Sequence, residues 1–171
     1  MPALKFVCCN RRNIFEHTMK NILFITLLIP AISKAQCPQW VKGSRDSVIA
    51  LLKTADTYLQ FNLMAKYDPA QENSIRLFDE ENNHCQFTVD FIKEPTFQGT
   101  QVVNKYNHVK SVYIKGPADR MDKFLNEYLM PAINNCITKK GDNWIYFGKT
   151  QMTTQQSGLI KSIRMEYKEG M

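Results

Sequence analysis

His84 and Cys85 are the residues that could most directly perform chemistry, because a cysteine thiolate is a nucleophile and a histidine can serve as its base. Their adjacency is unfavourable, however. Neighbouring residues of a strand point to opposite faces, so the His84 ring could not easily reach the Cys85 sulfur. We therefore interpret Cys85 as a free, buried thiol with a structural role.

An acidic segment precedes this pair. Asp79, Glu81, Asn83 and Asp90 are similar in spacing to the ligands of an EF-hand calcium loop. His84 occupies the position where that loop requires glycine, and the flanking patterns are those of strands rather than helices. The segment is therefore predicted to be a solvated turn, and no metal is expected there.

Three further carboxylates, Asp119, Asp122 and Glu127, lie near the start of a predicted helix. Acidic residues are common in a first helical turn because they complement the helix dipole. The sequence has no nucleophile elbow, no CxxC, no paired histidines at metal-ligand spacing and no glycine-rich phosphate loop. We predict no cofactor and no metal, and the balance favours a protein that is not an enzyme.

Aromatic residues offer a different chemistry. Trp144, Tyr146, Tyr113 and Trp40 could form a platform for a ligand if they share an uncovered sheet face. The alternative is that they pack in the core. We take Trp144, Tyr146 and Tyr113 as the candidate binding residues.

Two helices would hold these residues in place. From Ser44, apolar residues recur at spacings of three and four up to Leu63, which predicts an amphipathic helix with Ser44 as its N-cap. A second helix starts near Pro117 and continues to Ile137. We expect a kink near Pro131, because proline removes one helical hydrogen bond.

Strand patterns occur in residues 74–78, 85–92, 110–115, 144–149 and 159–168. Residues 94–107 are left open, since Pro95 and Gly99 favour a loop whereas Val102 and Val103 favour a short strand. The sequence therefore predicts the α+β class. We expect a single antiparallel sheet of about five strands with two helices packed on one face, in the order α-β-β-(β)-α-β-β.

Antiparallel helices would bring the residues before the first helix close to the end of the second. This arrangement predicts a disulfide between Cys37 and Cys136, and it leaves Cys85 as the free thiol. A bridge that closes a loop of about 100 residues stabilises by about 4 to 5 kcal/mol in the chain-entropy model.

A leader precedes this domain. Lys20, the apolar run of residues 22–29 and the small residues Ser33 and Ala35 form the three parts of a signal peptide, residues 19–35. The run is too short for a transmembrane helix, so we expect no membrane anchor after cleavage before Gln36. Residues 1–18 are interpreted as an upstream extension or a mis-assigned start, with an unusually long leader as the alternative. Residues 36–171 are predicted to form a single α+β domain.

Charge gives a further restriction. The chain carries a net charge of +6, of which +4 lies in residues 1–35. The 17 basic and 15 acidic residues that follow are interspersed, and Lys139 with Lys140 is their only adjacent basic pair. Because a nucleic-acid binder needs a clustered basic footprint, no nucleic-acid partner is expected.

These observations predict an exported, non-catalytic binding module of the bacterial cell envelope, periplasmic or secreted. It would bind a protein or an envelope ligand through an open sheet face or through residues 94–107. A subunit of an envelope or secretion assembly would have the same sequence features. The alternative is a small exported hydrolase that acts on envelope or extracellular material.

Overall fold

Strict alternation along residues 86–91 shows how the sheet is built. Phe87, Val89 and Phe91 are buried, whereas the residues between them are half-buried. Successive side chains of a strand point to opposite faces, so this pattern covers one face and leaves the other open. The computed structural model describes residues 37–60, 62–79 and 85–168.

The described residues form nine strands. They are β1 (Ser74–Phe78), β2 (Gln86–Phe91), β3 (Glu94–Gln98), β4 (Gln101–Lys105), β5 (Val109–Pro117), β6 (Ile137–Lys140), β7 (Trp144–Phe147), β8 (Thr150–Ser157) and β9 (Ile160–Tyr167). Seven of them form one antiparallel sheet in the order β1-β2-β5-β9-β8-β7-β6, and β3 pairs only with β4. The α+β class and the antiparallel sheet are confirmed, but the expectation of about five strands is wrong.

There is a physical reason why the sequence did not predict all the strands of the sheet. β8 has the sequence TQMTTQQS, in which Met152 is the only large apolar residue, so it lacks the alternation by which a strand is recognised. It still forms, because it pairs with β7 on one side and with β9 on the other. The short β6 begins at Ile137, the residue at which the second helix was expected to end.

Helix α1 (Arg45–Leu59) buries one face made of five residues: Val48, Leu51, Leu52, Ala55 and Leu59. Ser44 stands at the N-cap position, but its hydroxyl makes no capping hydrogen bond. The helix ends at Gln60, whose φ of 59° is left-handed. A 3-10 turn (Leu63–Lys66) follows, and its amides at Leu63 and Met64 donate to the carboxylate of Asp56.

The second helix is a composite. It runs through α2 (Ala118–Lys123), a π-helical stretch (Phe124–Leu129), α3 (Met130–Ile133) and a 3-10 turn (Asn134–Cys136). The Met130 amide donates to the Leu125 carbonyl, a π-type bond, directly before Pro131. The irregularity expected at Pro131 therefore takes the form of a wider helical turn.

Both helices and the covered sheet face contribute to one hydrophobic core. Gly116 of β5 lies close to the end of α1, because a Cβ there would lie 2.8 Å from Leu59 Cδ2 and 3.2 Å from Cys85 Sγ. The helices are antiparallel, as Arg120 at the start of the second donates to the Leu59 carbonyl at the end of the first. This arrangement brings Cys37 to Cys136, and the predicted disulfide is present with a Cα–Cα distance of 5.8 Å.

The predicted leader, residues 19–35, and residues 1–18 lie outside the described residues, as does His84. Residues from Cys37 onward form one compact unit. Within the part of the chain that the structure describes, no helix has the length and apolar character needed to cross a membrane.

Candidate functional site

The open face of the sheet holds all three candidate binding residues. Val112 and Ile114 of β5 are buried, so Tyr113 points the other way, and the same reasoning places Trp144 and Tyr146 opposite Ile145 and Phe147. Each of the three is half-buried.

Trp144 and Tyr146 lie side by side. Their ring centroids are 5.1 Å apart at an interplanar angle of 63°, an edge-to-face contact. Tyr113 and Trp144 lie on the same line across the strands, but two residues separate them: Arg164 of β9 pairs with Tyr113, and Thr153 of β8 pairs with Trp144. Three strand spacings of about 4.8 Å separate the two residues by roughly 14 Å. The open face therefore has an aromatic pair and a separate tyrosine instead of a continuous platform.

Trp40 is not part of this face. It is 5% exposed, with its ring centroid 6.1 Å from that of Tyr128 and 6.0 Å from that of Phe147. The expectation that Trp40 could join a ligand platform is therefore wrong, and the alternative of core packing applies. Its position in the core follows from the disulfide at Cys37, three residues earlier, which holds this segment against the composite helix.

Cys85 is a free and buried thiol. Burial raises its pKa from 9.0 to about 12, and the negative charge of Asp79 acts in the same direction. A nucleophilic cysteine needs the opposite shift, since the thiolate is the reactive form. The geometry thus gives Cys85 a packing role beside Gly116.

His108 and two of the candidate carboxylates, Asp90 and Asp122, are engaged in local contacts. His108 Nδ1 lies 2.5 Å from Glu94 Oε1, and Asp90 accepts a hydrogen bond of 3.0 Å from the Ser111 hydroxyl. Asp122 forms an ion pair with Lys161 at 2.5 Å. In the described ranges, no cluster of three or more His, Cys, Asp or Glu could hold a metal ion.

Residues 94–107 were named as a possible binding region, but the sequence left their structure open, and the structure shows an exposed hairpin there. Strands β3 and β4 form a hairpin around a two-residue turn at Gly99 and Thr100, where Gly99 has a φ of 63°. No residue of the two strands is buried. Phe97 and Val102 are direct cross-strand partners next to the turn, and they are 77% and 57% exposed.

The base of this hairpin is fixed to the sheet. The Ile92 amide donates to the His108 carbonyl at 2.8 Å, and the Glu94–His108 contact bridges the two strands where they leave the body. A fixed stem with an exposed apolar tip is typical of a recognition element. The sequence signal that could have found it is a glycine-containing turn between the aromatic Phe97 and the β-branched Val102 and Val103.

In comparisons with known proteins, no family model, no curated protein and no solved structure matches the chain.

Proposed function

We propose that this chain is an exported, non-catalytic binding module of the bacterial cell envelope, periplasmic or secreted, that binds a protein partner with the β3–β4 hairpin. The observation that carries the proposal is the exposed Phe97–Val102 pair at the hairpin tip. Large aromatic residues are frequent anchors in protein interfaces, and the rigid strand pairing lowers the entropy lost on binding.

The disulfide supports the proposed location outside the cytoplasm. Cys37–Cys136 is the kind of bond that persists in oxidising compartments and is rare where thiols are kept reduced. Together with the leader expected at residues 19–35, it favours the periplasm or the exterior. The open sheet face, with Trp144 and Tyr146, provides a second surface for the same class of function.

The hydrolase alternative has no specific observation in its favour among the described residues. It would be tested by replacing His84, His108 and Asp90 singly with alanine. A hydrolase would lose its activity at one of these positions while keeping its fold. A binding module would instead respond to changes at the hairpin tip or the aromatic pair.

The direct test is site-specific photo-crosslinking in the expressing cells. A photoreactive phenylalanine analogue at position 97 should crosslink to one defined protein, and the same analogue at position 159 should not. Leu159 is the matched control because it is 86% exposed in a different turn, between β8 and β9.

The identified protein is then purified for a binding measurement. Val102→Asp should weaken its affinity by about tenfold or more, because a charge would enter an apolar contact, whereas Leu159→Asp should leave it unchanged. Equal effects of the two variants, or identical crosslinks from both positions, would contradict the assignment to the hairpin.

A further inference from the structure

A groove at one end of the sheet combines positive charge with apolar walls. We call it the basic groove, and it has a volume of about 600 Å³. It lies where β2 and β9 end and β5 begins, near the hairpin base but away from the hairpin tip. Its lining consists of Lys42, Phe91, Ile92, Lys93, Lys110 and Tyr167.

Lys42 reaches the groove from a left-handed backbone conformation. Its φ is 58°, a region that residues with a Cβ seldom adopt. The Lys42 amide donates to the Val109 carbonyl at 2.7 Å, which holds the segment against the start of β5. The Lys42 ammonium lies 3.7 Å from the centroid of the Tyr167 ring. Strained backbone of this kind occurs often in functional sites.

Lys110 reaches the groove from a β-bulge. Asp90 pairs with Ser111 while the next residue of β2, Phe91, pairs with Val109, so Lys110 is the extra residue on β5. Val109 and Val112 are therefore both buried, and Lys110 is exposed. Bulges redirect a side chain locally and are enriched next to functional sites.

Lys93 completes the set directly after β2, where the Ile92–His108 hydrogen bond fixes the backbone. A left-handed residue, a bulge and an anchored strand end thus place three lysines along the same groove. The Arg45 guanidinium adds a fourth positive charge behind the wall, 4.6 Å from the centroid of the Phe91 ring.

Two carboxylates near the groove, Glu166 and Glu94, pair with other basic groups. Glu166 pairs with Arg164 at 2.7 Å and with Lys168 at 3.4 Å, and Glu94 pairs with His108. Throughout residues 37–60, 62–79 and 85–168, no carboxylate lies within ion-pair distance of Lys42, Lys93 or Lys110. The three charges repel one another, and a bound anion would relieve that repulsion.

We propose that the basic groove binds a small organic anion, in which a phosphate or carboxylate group is joined to an aromatic ring or a short alkyl chain. The lysines bind the charged group, while Phe91, Ile92 and Tyr167 contact the apolar part. The groove volume lies in the range of small-molecule sites. This inference does not rest on the proposed function of the hairpin, since the two surfaces share no residue.

The test is a titration of the purified protein with phenyl phosphate, followed by amide chemical shifts in ¹⁵N-labelled protein. We expect saturable shifts at Lys42, Lys93 and Lys110. Inorganic phosphate should bind at least about threefold more weakly because it lacks the ring, and neutral benzyl alcohol should give no saturable shifts at these positions. Linear, unsaturated shifts with phenyl phosphate would overturn the proposal.

Charge-neutralising variants locate the site. Lys42→Gln and Lys110→Gln should each lower the affinity for phenyl phosphate about threefold to fivefold, and the double variant about tenfold or more. The matched control is K139Q/K140Q, which removes two exposed lysines from β6 at the sheet edge. An equal loss in the control would show a response to overall charge and would refute the groove, with circular dichroism confirming that every variant is folded.

Discussion

Phe87 and Phe97 are both strand phenylalanines, yet one is fully buried and the other is 77% exposed. Phe87 belongs to the seven-stranded sheet, whose covered face forms the core with both helices. Phe97 belongs to the β3–β4 hairpin, in which no residue is fully buried and which is held by its own pairing and by its base. The difference teaches that tertiary packing determines the sheet, whereas turn chemistry determines the hairpin. The core therefore places no demand on the side chains of the hairpin tip.

The largest effect is expected in the core. Phe87→Ala should lower the free energy of unfolding by about 3 to 5 kcal/mol, because it removes buried ring contacts and leaves a cavity. Urea denaturation measures the change. Phe97→Ala is the matched control, and it should change stability by no more than about 0.5 kcal/mol. A comparable loss in both variants would mean that the hairpin is part of the core.

Removal of the disulfide should come next. The double variant C37A/C136A should lose about 2 to 5 kcal/mol, since the bond closes a sequence separation of 99 residues. Urea unfolding with and without reductant measures the difference. Reductant should destabilise the natural protein and leave the double variant unchanged, so a further loss in the variant would refute the pairing.

Excision of the hairpin should have a small effect. Residues 95–104 are replaced by Asn-Gly, which joins the paired residues Glu94 and Lys105 through a two-residue turn. Stability should change by no more than about 1 kcal/mol, because no residue of β3 or β4 is buried. Amide shifts of β2, β5 and β9 report whether the sheet persists, and their collapse would show that the hairpin is needed for folding.

The smallest effect at neutral pH is the pH dependence that the Cys85 thiol gives to the free energy of unfolding. Its folded pKa of about 12 exceeds the unfolded value of 9.0, so the proton on the thiol favours the folded state. This contribution is fully present below pH 9.0 and is lost as the pH rises from there towards about 12. The stability difference between the natural protein and Cys85→Ala should therefore be constant up to pH 9 and fall above it. A difference that already varies between pH 6 and pH 8 would contradict the burial of this thiol.

The sequence predicts those parts of the fold in which one face is strongly apolar. The β1 prediction, residues 74–78, agrees with the strand, and the spacing from Val48 to Leu59 identifies α1. The expected antiparallel packing of the two helices predicted the Cys37–Cys136 disulfide, which is present. β8 was missed because neighbouring strands, and not its own pattern, determine its pairing.

The candidate sites were less accessible to sequence reasoning. The sequence named Tyr113, Trp144 and Tyr146 as candidates on the condition that they share an uncovered sheet face, but it could not give the distance between Tyr113 and the other two. The lysines of the basic groove are far apart in the chain. They converge through a left-handed residue and a bulge, and neither of these leaves a recognisable pattern in the sequence.

The burial of Cys85 has a consequence for the order of events during oxidative folding. Residues 37, 85 and 136 allow three bridges, and each of the two that involve Cys85 closes a loop about half as long as the native one. Shorter loops close more readily in an unfolded chain, so oxidation before folding favours the wrong bonds. The native bond forms directly when Cys85 is already buried beside Gly116 as the other two thiols meet. On this view the disulfide locks a core that has formed without it, and a chain oxidised too early would first have to exchange its bonds.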